Sequence, residues 1–373
     1  MAVINYLEDL NTMTANGSHT LARDLDFNDN ASYSNVNNKT TWTTGNGWGY
    51  ASANATFTGQ VDGQGHSIKN LYINKGNGVD GGLFTIISGN SAVVKNLTLE
   101  NPKSNGNQVG FVACDLGSGS TIDNIHVING TMTVIAGASG CGGGLIAYLY
   151  GGAKINNCSF NGTITTPNMT ASSTTNNIGG ISASLAESGT ANISRCKVSG
   201  TIAGAGGTYI SAIGGILGMS LTGSSAPTLI IEDCYSEMVI TAAASNAAYR
   251  SPIMGRRNTG TVTIRRCWTN KNVGNYTIIG NGTVTSQNNF FDRTTTGLSS
   301  STGATAKTTA EMKTMSTFSG ATWSIAAKAG FNPNGSTYWF IDGGVDYPRL
   351  WWEYVASAVA KRRRSSAVAL LMN

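Results

Sequence analysis

The sequence predicts an all-β fold: a right-handed parallel β-helix (solenoid) with an N-terminal cap and a small Trp-rich C-terminal cap domain. Three observations lead there. A short phrase recurs at a loose period along most of the chain. Glycine reaches 48 of 373 residues and Asn, Thr and Ser are abundant, a composition poor in helix formers and rich in strand and turn formers. Charged residues make up 12%, against roughly 25% in ordinary globular proteins, while the 40% apolar content falls in ordered short runs rather than in the pattern of a disordered chain.

The phrase reads FTGQVDGQGHSIKNLYIN at residues 57–74, then VVKNLTLEN, TIDNIHVING and KINNCSFNG. Its first apolar position is Ile68, Val94, Ile122, Ile155, Ile193, Ile231 and Ile264. The following polar column is Asn70, Asn96, Asn124, Asn157, Arg195, Asp233 and Arg266, and after it come Leu71, Leu97, Ile125, Cys158, Cys196, Cys234 and Cys267. Between the copies lies a second phrase, GGLFTII, VGFVACDL, GGLIAYLY, IGGISASL and IGGILGMS. Each period thus holds at least two strands, and one period alone cannot bury its apolar side, so the copies must stack. Eight or so coils at about 4.8 Å would span on the order of 40 Å. A bend at the Asn column explains why Val94 is out of alternation with Leu97 and Leu99, with the Asn side chains forming a structural ladder along the corner.

Residues 1–56 form the lead-in, with a short helix in INYLEDL, capped by Asn5 and Glu8, and a strand in HTLARDLDF. Residues 57–293 hold the repeats, and a Ser, Thr and Gly stretch at 294–308 is the linker. Residues 309–353 are the C-terminal cap, opened by a capping box from Thr308 to Glu311 and holding Trp323, Trp339, Trp351 and Trp352. Residues 354–373 are a basic and apolar tail in which Lys361, Arg362, Arg363 and Arg364 are candidate anchoring residues. Those four carry most of the formal +5 charge, so the body is close to neutral and a nucleic-acid partner is not expected. No run of 18 apolar residues predicts membrane insertion, and the acidic start MAVINYLEDLN does not read as a secretory leader.

The chemistry of the sequence is sparse. His19, His66 and His126 are scattered, and no P-loop, G-x-S-x-G or H-E-x-x-H motif occurs, so neither a metal nor a cofactor is expected. Cys158, Cys196, Cys234 and Cys267 share a column without zinc-site spacing and read as stacked free thiols. Asp62 reads as a turn cap. Arg195, Asp233 and Arg266 alternate in sign on successive copies; the reading is an ion-pair ladder, the alternative an active-site cluster, and no catalytic residue is assigned. The column Tyr72, Thr98, His126, Ser159, Lys197, Tyr235 and Trp268 should face outward by alternation. Within it Tyr72, His126, Lys197, Tyr235 and Trp268 are candidate glycan contacts, since sugar rings stack on aromatic faces; a solvated surface or a subunit contact is the alternative.

FTGQVDGQGHSIKNLYIN with GGLFTII, VVKNLTLEN and VGFVA resembles the repeat of the GLUG-type β-helix family, found in bacterial surface proteins and in structural proteins of tailed bacteriophages. HTLARDLDFND and DYPRLWW also resemble that family, which would cover most of residues 15–352; the later copies depart from it, GGL becoming RSPIMG. The resemblance, with the absence of a leader, implies a tailed-phage virion component assembled in the bacterial host cytoplasm, in the manner of a tail fibre or spike that attaches to the host surface and is not an enzyme. Its implied partners are other virion proteins, a host surface glycan and further copies of itself, a homotrimer by analogy with phage spikes. The alternatives are a capsid-attached head fibre or decoration protein, a polysaccharide-degrading tailspike, and a bacterial surface adhesin.

Overall fold

Equivalent residues of the repeated phrase pair directly. Val94 lies opposite Ile122, Ile122 opposite Ile155, then Ile193, Ile231 and Ile264, always parallel and in register. A branched residue stacked on its own kind fills the same volume at every step, and this column is fully buried. The computed structural model describes residues 1–354 apart from 50–55, 77–79, 136–139, 167–175, 205–209, 221–226, 245 and 334–335. The anchoring candidates Lys361, Arg362, Arg363 and Arg364 lie outside the described residues.

The strands gather into a 20-stranded sheet, an 8-stranded sheet and a 6-stranded sheet, with a separate 3-stranded sheet near the C-terminus. From the large sheet the chain enters the six-stranded sheet (Gln108–Gly110), then the eight-stranded sheet (Ala113–Leu116), and returns at Thr121–Val134. Glycine makes the bend between the two smaller sheets: a Cβ on Gly110 would sit 2.3 Å from the Ala113 carbonyl oxygen, and one on Gly143 1.8 Å from that of Ile146. The Gly-Gly of the second phrase is therefore a steric requirement of this corner.

The expected class, an all-β right-handed parallel β-helix, is corrected. The described residues form three large parallel sheets, a mixed three-stranded sheet with an antiparallel pair, and helical segments toward both ends of the chain, with one short 3-10 turn at Ala247–Tyr249 among the repeats. The repeat told which residues stack; it carried no information on handedness or on how the strands divide among sheets.

Phase is corrected too. Val61, not Ile68, pairs with Val94, and Ile68 pairs with Leu99. The column through Thr98 and His126 therefore begins at Ser67, while Tyr72 pairs with Lys103 in the next column, followed by Thr131 and Thr163. The misalignment has a physical source. Both bends of the large sheet use left-handed residues: Asn96, Asn124, Asn157, Arg195, Asp233, Arg266 and Asn288 at one, Asn70, Asn101 and Asn129 at the other. Asn tolerates that conformation best after glycine, so two different corners carry the same letter.

Stacking also runs past the expected boundaries. Ala2–Ile4 pairs with Ser18–Leu21, and Thr305–Lys307, inside the expected linker, pairs with Phe290–Asp292. The first helix, Leu7–Thr12, is capped one residue later than expected: Asp9 Oδ2 accepts from the backbone N–H of Asn5 (2.8 Å) and Tyr6 (2.9 Å). Glu8 instead ties the loop at Ser34 and Asn35, and hydrogen bonds to its carboxylate outweigh burial and lower its pKa. The Thr308–Glu311 capping box is present. Cys158, Cys196, Cys234 and Cys267 are buried free thiols, each bonding the carbonyl two residues earlier, and burial raises the pKa of the last three.

Candidate cleft beneath the C-terminal lobe

The aromatic C-terminal segment folds back along the side of the large sheet and covers the later half of the outward column. Tyr235 and Trp268 are completely buried, stacked 4.6 Å apart, with Tyr347 on the far face of Trp268 at 5.0 Å. They are thus removed from the expected glycan-contacting face. Alternation placed them on the outer side of the sheet correctly, but an apolar outer stripe and an apolar terminal segment bury one another.

Polar contacts fix the lobe along the Asn corner. Trp351 Nε1 donates to Asn157 Oδ1 (3.2 Å), Trp352 Nε1 to the Arg195 carbonyl (3.1 Å) and Trp339 Nε1 to Asp233 Oδ1 (3.0 Å). The corner is a chain of side-chain bonds with changing partners. Asn124 donates to Asn96 (2.9 Å), Asn157 to Asp123 (2.7 Å), and Arg195 Nε to Asn157 (2.9 Å). Arg266 clasps Asp233 with two bonds, 2.8 and 2.6 Å, while Arg195 stacks on the Tyr338 ring instead of pairing with Asp233. The expected alternating ladder is therefore broken between Arg195 and Asp233. Asp233, whose side chain is 1% exposed, is spent on Arg266 and Trp339, so this trio offers no carboxylate to a substrate.

Where the lobe ends, an open cleft of about 540 Å³ remains, lined by Thr98, His126, Ser159, Asn161, Lys197, Ser199, Trp352 and Glu353 among others. Glu353 is its hub. It accepts from Lys197 Nζ (2.8 Å), from the Tyr235 hydroxyl (2.8 Å) and from the Leu350 N–H (3.0 Å). Arg349 Nη1 donates to the same hydroxyl (3.0 Å) and to Glu237 (3.0 Å). Burial first, and then the Glu353 charge, push the Tyr235 pKa far up, so the phenol stays a donor.

His126 forms the inner wall. Its Nε2 lies 2.9 Å from Asn124 Oδ1 and its Nδ1 2.9 Å from Ser159 Oγ. The amide oxygen only accepts, so Nε2 carries the proton and Ser159 donates to Nδ1. Burial, reinforced by the Lys197 charge, lowers the His126 pKa to about 4, and the ring is neutral at pH 7. Trp352 packs on it at 4.6 Å and Lys197 lies over the indole at 5.5 Å. Ser159 is 5% exposed with its proton directed to His126.

Of the expected contacts, His126 and Lys197 meet in this cleft; Tyr72 lies apart, beside Asn70, Asn101 and Lys103 in a smaller hollow. Sequence reasoning missed Trp352, Glu353 and Arg349. The available signal was that an outward column ending in Tyr and Trp and a segment reading DYPRLWWE both needed covering. Among the described residues no group of His, Cys, Asp and Glu could hold a metal, and no helix is long and apolar enough to cross a membrane.

No family model matches the chain. Halomucin of Haloquadratum walsbyi is 32% identical over 158 residues, which is 41% of this chain but 2% of that protein, so the chain spans a very small part of its length. A solved structure from Bacteroides ovatus, described as a candidate immunoglobulin A1 protease, superposes with a TM-score of 0.55 at 19% identity, covering 94% of this chain and 92% of that one. The likeness is one of fold alone: the chain shares with that protein an arrangement of parallel sheets, and the enzyme name stays with the neighbour.

Proposed function

We propose that this protein is a surface-displayed attachment component of a tailed-phage virion and that the cleft between its large sheet and C-terminal lobe seats a saccharide. The observation that carries this reading is the lining of the cleft. The exposed Ile128 and the remaining 7% exposed surface of Trp352, whose ring packs on His126, supply apolar walls, and around them stand hydroxyl, amide, ammonium and carboxylate groups. Small polar hydroxylated ligands are recognised by this mixture of flat apolar surface and fixed hydrogen-bond partners. Lys197 and Glu353 neutralise one another, so the cleft suits an uncharged sugar better than an ion.

The role is binding rather than hydrolysis, because Asp233 of the corner is buried under Arg266 and Trp339, and the Glu353 carboxylate in the cleft is engaged by Lys197, Tyr235 and the Leu350 N–H. Attachment is tested by competition: purified protein added to host cells should reduce phage adsorption, and unchanged adsorption at saturating protein would refute it. The partial match to halomucin favours one second reading, a cell-surface protein displaying the same cleft. Labelling intact virions and intact cells with an antibody against the chain separates the two.

A further inference from the structure

Past the bend at Asn101 and Asn129 the large sheet carries a second outward column, which runs Tyr72, Lys103, Thr131, Thr163 and Thr201, each paired with the next. Lys103, Thr131 and Thr163 are exposed, so their ammonium and hydroxyl groups are open to a ligand. Lys103 is in no ion pair among the described residues.

Beside this column lies a strip of bare backbone. Gly130, Gly162 and Gly200 are in register on three successive strands. Side chains are excluded from it: a Cβ on Gly162 would press on the Gly130 carbonyl oxygen, and one on Gly200 on that of Gly162. Amides line its other edge. Asn129 Nδ2 donates to Asn101 Oδ1 (3.2 Å) and Asn161 Nδ2 to Ser199 Oγ (3.0 Å). Between Val127 and Gly130 the register shifts, so that Ile128 and Asn129 together face Asn161; this bulge leaves both of them exposed while Asn161 is half-buried.

Three hollows follow one another along this edge. One of about 340 Å³ lies over the glycines, between Asn129 and Asn161 on one side and Thr131 and Thr163 on the other, and no charged residue lines it. Asn161 also lines the cleft beside Trp352, and so does Ser199, the neighbour of Gly200. In the other direction Asn101 and Lys103, one strand before Asn129 and Thr131, line the hollow of about 210 Å³ beside Tyr72. From Tyr72 to Thr201 is four inter-strand steps, about 19 Å.

We infer that the ligand is a linear polysaccharide, which leaves the cleft beside Trp352, crosses the glycine strip and ends against Tyr72 and Lys103; this rests on the cleft being a saccharide site. A floor without side chains lets a chain of sugar rings lie close to the backbone. Amides on one edge and hydroxyls on the other match the donors and acceptors of sugar hydroxyls, and Tyr72 offers a ring at the far end.

Calorimetry on the full chain tests this with a disaccharide and an octasaccharide prepared from the purified surface polysaccharide of the host. The octasaccharide should bind at least tenfold more tightly than the disaccharide, beyond the few-fold gain that a repeating chain obtains from having several registers in one site. Thr131→Leu/Thr163→Leu replaces two hydroxyls of the strip by larger apolar groups and should remove most of that gain. Thr163→Leu alone, which should lower octasaccharide affinity at least threefold, covers the case in which circular dichroism shows the double variant unfolded. An octasaccharide that binds the wild type no better than the disaccharide, or a length gain that survives these substitutions, would overturn the inference and leave the cleft as a small-sugar site. Binding of neither saccharide by the wild type would overturn the cleft reading and this inference together.

Discussion

Tyr235 and Trp268 stand on neighbouring strands with their rings 6° from parallel and 4.6 Å apart, and Tyr347 of the C-terminal lobe extends the stack on Trp268 with an interplanar angle of 9°. One column of the sheet and one side chain of the lobe thus make a single three-ring pile. Trp268→Ala should cost about 3–5 kcal/mol, the range for removing a buried aromatic, through loss of burial and through the cavity left between Tyr235 and Tyr347. Urea unfolding checks it; a loss below about 1 kcal/mol would mean that the lobe does not rest on this stack.

Glu353 holds the lobe by charge. Glu353→Gln keeps the shape but leaves Lys197 without its counter-charge and weakens the bond from Tyr235. A cost of about 2–4 kcal/mol is expected for leaving one member of a partly buried ion pair alone. Amide exchange should speed up in residues 339–353 while Val93–Glu100 is unaffected; uniform acceleration would contradict local anchoring.

His126 makes stability depend on pH. Its folded pKa of about 4 is depressed from 6.5, so the folded state binds its proton less readily than the unfolded state. The contribution is present above pH 6.5 and is lost as pH falls toward 4, amounting to about 3 kcal/mol across that window. His126→Gln should flatten the stability profile between those limits, and an unchanged slope would assign the acid sensitivity elsewhere.

The cysteine column should be chemically silent. Cys158, Cys196, Cys234 and Cys267 are fully buried, and the raised thiol pKa of the last three leaves almost no thiolate at pH 8. A thiol reagent should label none of them in the native protein and all of them in denaturant; rapid labelling of the native chain would show that the core opens.

Much of the stacking was legible because it depends on side-chain identity at a fixed phase. Ile122, Ile155, Ile193, Ile231 and Ile264 had to align, since any other phase would expose them. The first copy was misread because Asn70 and Asn96 satisfy the same left-handed requirement at two different corners. The division into three sheets was not legible, since it depends on bends in the second phrase whose angle no residue letter encodes. The burial of Tyr235 and Trp268 depended on a partner over 70 residues further along the chain, and alternation within a strand reports a face of the sheet without reporting what lies on it. His126 and Lys197 were found by the same alternation because the last residues of the lobe, Trp352 and Glu353, meet them at the edge of a cleft instead of sealing them under an aromatic stack.

The central claim is that the cleft beside Trp352 is the binding surface, and filling it is the most direct test. Ser199→Trp puts a large ring into the cleft at a lining residue that makes none of the Glu353 hydrogen bonds, at the cost of one bond accepted from Asn161. Binding of the purified protein to host-surface polysaccharide, measured by calorimetry, should fall at least tenfold with this variant while its thermal unfolding stays close to that of the wild type. Equal affinity in the two proteins would place saccharide recognition elsewhere on the molecule and contradict the account.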